Sequence, residues 1–291
     1  MNLVFVIGTG RCGSSFVHEV LAKHEDFGFV SNIEDNFPRI NTYGKWNNKL
    51  YGSALGKYTK KGGLRFAPSE AYNLISKEVS VIYANSNRDL LAQDVTPYLA
   101  NRFQTFFETR NQAQQKKVFS HKYTGWPRIG FFQEIFPEAK FINIVRDGRA
   151  VANSWLQMDW WGGYRGPKQW LWRDLTSDEY SQWAKHNHSY PFLAGMSWKI
   201  LMDAFHQAEE SLNPENYLKL RYEDILQDPR KAFESMTDFC NLEWTARFNT
   251  KFEKQQIKAG RSTAYKRDLT SEQLQDVEVP INHLLEQYGY K

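Results

Sequence analysis

VFVIGTGRCGSSFVHEVL, Val4 to Leu21, decides how the rest of the chain is read. Leu3 to Ile7 is a short apolar run of buried-strand type, and Phe16, Val17, Val20 and Leu21 recur at helical spacing after the glycines. Between them Gly8 and Gly13 keep the Gly-x-x-x-x-Gly spacing of a phosphate loop, in which backbone N–H groups turn inward on an anion at a helix N-terminus. A loop for nucleoside triphosphates next needs a lysine for the terminal phosphates. Here Ser14 holds that position and the cation has moved into the loop as Arg11. An arginine fork suits a planar, bidentate grip on a terminal oxyanion and calls for no metal. A tight glycine turn with no ligand fits the stretch as well. A cysteine phosphatase does not, because no arginine follows Cys12 within "CGSSFVHEV".

At 291 residues the chain has the length of one large α/β domain. Lys and Arg number 37 against 33 Asp and Glu, a formal charge of +4 that is too balanced for a dedicated nucleic-acid binder and fits a small anionic ligand. The two cysteines, Cys12 and Cys240, form neither a disulfide framework nor a CxxC metal spacing. With no charged leader and no apolar run of spanning length, the expectation is a soluble, cytoplasmic protein without a membrane span.

Beyond the loop, strands alternate with helices. "KKVFSH" reads as a strand, "PRIGFFQEIF" as a helix opening at Pro127, "KFINIV" as a strand, Pro191 to Leu212 as a long helix, and "YLKL" as another strand. A helix with Ala232, Phe233, Met236 and Phe239 on one face follows, and Thr270 with Gln273 marks a capping box. The pattern predicts a three-layer α/β fold, a central parallel sheet of four or five strands flanked by helices. Residues 37–117, where Pro97 breaks a helical period, and 155–192, rich in tryptophan, read as insertions on the acceptor side of the sheet.

"FINIVRDGRAVANSW" places Arg146 at the end of a buried strand and Ser154 eight residues on, along the helix that follows. Taken with the loop, "LRYEDILQDP" and "GRSTAYKRDLTSEQ", this order of motifs resembles the sulfotransferases that use 3′-phosphoadenosine 5′-phosphosulfate, nearest the carbohydrate and tyrosylprotein branches. The resemblance spans residues 3 to about 275 and implies one sulfotransferase domain over 1–291. It implies that Gly10, Arg11, Cys12, Gly13, Ser14 and Ser15 hold the 5′-phosphosulfate, Arg146 and Ser154 the 3′-phosphate, and Gly260, Arg261 and Lys266 a loop covering the nucleotide. The donor would be 3′-phosphoadenosine 5′-phosphosulfate, with no metal. Cys12 departs from the serine common at its position.

Sulfonate transfer needs a base for the acceptor proton and positive charge on the transferring oxygens. Glu34, after the first helix, and His121, at a strand end, are both candidates for the base, with Glu34 preferred. Arg11 and Lys122 are candidates for the charge. Six tryptophans between Trp155 and Trp183 either pave a cleft or bury a long connection. The basic run Lys57 to Arg65 either attracts an acidic acceptor or is a solvated loop. The acceptor expected is a hydroxyl on a saccharide or glycolipid-like molecule, a small-molecule or glycan partner, with no nucleic acid. A phosphotransferase or nucleotide kinase, and a nucleotide-binding module without catalysis, remain the rival readings.

Overall fold

The computed structural model describes residues 1–53, 65–255, 257 and 262–291. Five parallel strands form one sheet: β1 (Asn2–Ile7), β2 (Phe27–Gly28), β3 (Val118–Lys122), β4 (Lys140–Val145) and β5 (Tyr217–Arg221), in the order β2-β3-β1-β4-β5. Four of these match the strand readings. The two-residue β2 carries no legible period and was not anticipated.

Side chains alternate across the sheet and assign each strand residue to a layer. Leu3, Phe5 and Ile7 join Phe107, Phe119, Phe132 and Phe141 in one apolar cluster, while Val4 and Val6 join Val20, Phe27, Ile142, Phe233 and Met236 in another. Helices cover both faces: α1 (Ser14–Leu21) and α8 (Pro229–Phe239) belong to the valine side. The layer on the phenylalanine side is built by α2 (Tyr72–Glu78), α3 (Pro97–Gln114) and α4 (Ile129–Ile135). A third cluster, around Trp155, Trp198 and Ile281, packs α5 (Gly148–Leu156), α6 (Tyr190–Glu210) and α9 (Ser271–Gln287) together. The helix α7 (Tyr222–Gln227) follows β5 directly.

Pro97 is the first residue of α3 and not a break in it: Thr96 caps the helix by accepting from the Leu99 N–H, and proline is tolerated at N1 because that N–H has no intrahelical partner. Pro127 lies ahead of α4, whose N-cap is Arg128 at φ 46°. The Thr270 capping box is present at α9. Among the described residues, no helix is long and apolar enough to cross a membrane.

Candidate active site

Chain order sets the position of the cleft. The chain leaves β1 for the β2–β3 side and returns to β4 on the other side of β1, so the carboxyl ends of β3, β1 and β4 stand together at a switch point. A cleft of about 1180 Å³ opens there, floored by Thr9, Gly10, Arg11, Gly13, Ser14 and Ser15 and walled by Lys122, Thr124, Arg128, Arg146 and Tyr222. Gly10 at φ 84° and Gly13 at φ 97° take the left-handed backbone that the turn needs, and Arg11 adopts it too, at φ 54°.

The two motifs, far apart in sequence, meet at this floor. Arg11 Nε donates to Ser154 Oγ at 2.9 Å, and Arg146 Nη1 donates to the Arg11 carbonyl at 2.7 Å. The Arg146 guanidinium lies 5.0 Å from the centre of the Tyr222 ring, and that ring closes over Gly13. Lys122 Nζ donates to Ser15 Oγ at 2.9 Å and pairs with Glu70. The cleft therefore gathers Arg11, Lys122, Arg128 and Arg146 against Glu70, while its Arg65 and Glu19 pair with each other at 3.1 Å. That excess of cations suits an anionic ligand.

Other sequence candidates lie elsewhere. Cys12 points into the apolar cluster beneath the loop, so the hydroxyl it lacks is not missed at the cleft wall. Lys266 is exposed and stands outside the residues that line the cleft, and Gly260 and Arg261 lie outside the described residues. Of the basic run, Arg65 lines the cleft and residues 57–64 are outside the described residues. Tyr265 is buried under Arg149, which itself is tied to Asp147, Glu278 and the Tyr290 carbonyl.

Neither candidate base reaches the cleft. Glu34 is 0 % exposed and accepts from Arg110 Nε at 2.9 Å and from Asn47 Nδ2 at 3.3 Å. Burial pushes its carboxyl up to about 7, against the pull of the Arg110 charge. His121 belongs to the phenylalanine side of the sheet: alternation along β3 turns it toward Phe107 and Tyr83, and its Nε2 hydrogen-bonds the Tyr83 hydroxyl at 3.2 Å. Burial drives its pKa well down. Lys122, one residue on, takes the opposite face and enters the cleft.

Sequence reading missed Glu70, Thr124, Arg128, Tyr222 and His18 as lining residues. Thr124 and Arg128 follow a strand end, a position that is a usable signal. His18 Nε2 lies 3.0 Å from Ser120 Oγ, whose own proton goes to the Gly28 carbonyl at 3.1 Å, so Nε2 is the donor and Nδ1 keeps a lone pair. Burial lowers its pKa to about 3. Trp155, Trp161, Trp170, Trp172 and Trp183 all belong to one buried cluster, and of these Trp170 and Trp172 also line the cleft, together with the exposed Trp160.

A model of the sulfotransferase family matches residues 4–246. Among solved structures, the chain is similar to the sulfotransferase domain from the curacin biosynthetic pathway (TM-score 0.53, 16 % identity, covering 100 % of this chain and 98 % of that one). It is also similar to sulfotransferase STF9 from Mycobacterium avium (0.54, 16 %, 98 % and 76 %) and to sulfotransferase STF1 from Mycobacterium tuberculosis H37Rv (0.54, 13 %, 96 % and 76 %). At these identities the likeness is one of fold. No curated protein matches.

Proposed function

The chain belongs to the sulfotransferase family, and from that premise we propose that the cleft takes 3′-phosphoadenosine 5′-phosphosulfate and passes its sulfonate to a hydroxyl on a saccharide or glycolipid-like acceptor. One observation carries the donor reading: Arg11, Arg146 and Ser154 form a single hydrogen-bonded group although Arg11 is 135 and 143 residues from the other two. Residues 10–15 then hold the 5′-phosphosulfate, and Arg146 with Ser154 the 3′-phosphate. Two anion sites at fixed separation recognise a doubly phosphorylated adenosine and discriminate against singly phosphorylated ones.

Arg11 and Lys122 supply the charge that grows on the transferring and leaving oxygens, a stabilisation made mainly in the transition state. Lys122 is suited to this by its contact with Ser15 in the first turn of α1. On the acceptor side, Trp172 and Trp170 offer flat apolar faces within the cleft, and Trp160, 48 % exposed, stands at its rim. Such faces fit the apolar side of a sugar ring. A reducing, cytoplasmic location accords with both cysteines being free and buried.

Calorimetry with 3′,5′-adenosine bisphosphate, adenosine 5′-phosphate and ATP with Mg²⁺ tests the donor. The bisphosphate should bind more tightly than adenosine 5′-phosphate by about 2–3 kcal/mol, the worth of a charge-assisted contact in a partly desolvated site. Equal affinities, or tight binding of ATP that depends on Mg²⁺, would overturn the assignment. A labelled-donor screen over saccharides, tyrosine peptides and phenols tests the acceptor, and turnover confined to phenols would remove the saccharide.

A further inference from the structure

With Glu34 and His121 sealed in the interior, the cleft has to find another group for the acceptor proton. Among the described residues, two carboxylates line it, Glu19 and Glu70. Glu19 is in the second turn of α1 and is engaged by Arg65 at 3.1 Å. Glu70 stands at the end of β3, where it pairs with Lys122 and accepts from Thr124 Oγ1 at 3.3 Å. Through Lys122 it is one side chain away from Ser15 in the phosphate loop. Its side chain keeps 23 % of its surface exposed, against 8 % for Lys122, so it faces the open part of the cleft where an acceptor must arrive. His18, the imidazole among the lining groups, can accept a hydrogen bond but is too weak a base to hold a proton near neutral pH.

The backbone that carries Glu70 is over-determined. Pro68 bridges Ser31, Ser69 N–H donates to the Val30 carbonyl at 2.8 Å, and Ser69 Oγ donates to Asp35 Oδ2 at 3.0 Å while accepting from the Ala71 N–H at 3.1 Å. Ala71, fully buried, is then held at φ 54°, a left-handed conformation that a residue with a Cβ adopts only under constraint. These contacts fix one carboxylate at the meeting point of the phosphate loop and the acceptor side.

Resting on the donor reading above, we infer that Glu70 is the general base of the transfer. Its carboxylate takes the proton of the acceptor hydroxyl as the oxygen lone pair forms the new O–S bond. The S–O bond to the donor's 5′-phosphate breaks, and its electron pair leaves with the adenosine bisphosphate. Lys122 lies between the two events, in contact with Glu70 on one side and with the loop on the other.

The test compares Glu70→Gln with the parent, using labelled donor and three probes: 4-nitrophenol, which is largely ionised at about pH 8, unsubstituted phenol, which is neutral there, and water. Bisphosphate affinity should stay within about threefold of the parent. Transfer to phenol and to water should fall about 10²–10⁴-fold, the range for a lost base, while transfer to the pre-ionised 4-nitrophenol should fall less than about tenfold. Equal losses on both phenols would assign Glu70 to holding Lys122 in place and overturn the proposal, as would no loss on phenol. A parent that binds the bisphosphate yet transfers to none of the probes overturns it too. A parent that fails to bind the bisphosphate refutes the donor reading instead.

Discussion

Gly13→Ala tests how tightly the two halves of the donor site are meshed. Gly13 has φ +97°, and a Cβ placed there would stand 2.3 Å from both Cδ2 and Cε2 of Tyr222 and 3.2 Å from its Cγ. Two costs add. A left-handed backbone with a Cβ costs roughly 1–2 kcal/mol, and inserting a methyl where an aromatic ring already sits costs about 1–3 kcal/mol. Swinging the ring away relieves the clash but abandons its stacking on Arg146, 5.0 Å distant, a contact worth about 0.5–1 kcal/mol. The expected destabilisation is therefore about 2–5 kcal/mol, which at roughly 2 °C per kcal/mol for a chain of this size lowers Tm by about 4–10 °C. Thermal unfolding followed by circular dichroism reads it, and calorimetry on the same samples should show bisphosphate affinity falling more than about tenfold. The double variant Gly13→Ala/Tyr222→Ala separates the terms: with the ring gone only the backbone cost of about 1–2 kcal/mol remains, so the two substitutions should be strongly non-additive. A single variant melting within about 1 °C of the parent, well below the expected shift, would refute the packing argument, and strict additivity would refute the clash as its cause.

Arg110→Met should cost about 3–5 kcal/mol of stability, because it leaves the Glu34 carboxyl buried at 1 % side-chain exposure without its cation; urea unfolding measures it. Glu34→Gln should leave kcat close to the parent's, far short of the 10²-fold or greater fall of a lost base, and such a fall would return Glu34 to the mechanism. Arg146→Ala should weaken the bisphosphate by about 2–3 kcal/mol and adenosine 5′-phosphate much less, so unchanged selectivity in calorimetry would show Arg146 to be misplaced. His18 protonates in the unfolded chain near 6.5 but in the folded protein only near 3, so the folded form binds fewer protons between these values. Its contribution to stability is complete above about pH 6.5 and is lost as pH falls toward 3. The difference between parent and His18→Gln unfolding curves should slope in that window, and parallel curves would count against a buried neutral imidazole.

What could be read from the residues follows how local each signal is. The phosphate loop is a strand, a turn and a helix in one continuous stretch, and Arg146 with Ser154 is another, so spacing alone places both at strand ends. Period 2 also distinguishes His121 from Lys122, but nothing local tells which face of the sheet meets the cleft; the aromatic side chains of α3 and α4 decide that. Glu34 is legible as an acid near the first helix, yet its partner Arg110 is 76 residues away, and nothing local reveals that the two are buried together. Glu70 had no local signal at all. It reaches the site because the chain doubles back to bridge Ser31 at Pro68, a contact that neither composition nor periodicity encodes.

The place of β1 in the middle of the sheet also bears on how the protein comes into being. β1 is made before both of its neighbours, so its two edges stay open until Val118–Lys122 and then Lys140–Val145 are made to flank it. At ordinary elongation rates that interval is on the order of 10 s, during which an apolar ribbon from Leu3 to Ile7 is available to any other unpaired strand nearby. Released chains truncated before Lys140 should therefore depend on chaperones and aggregate without them, whereas released chains that include β4 should already be able to close the centre of the sheet. Until then the anion cradle is incomplete, since the loop after β1 lacks Lys122 from the end of β3 and Arg146 from just beyond β4.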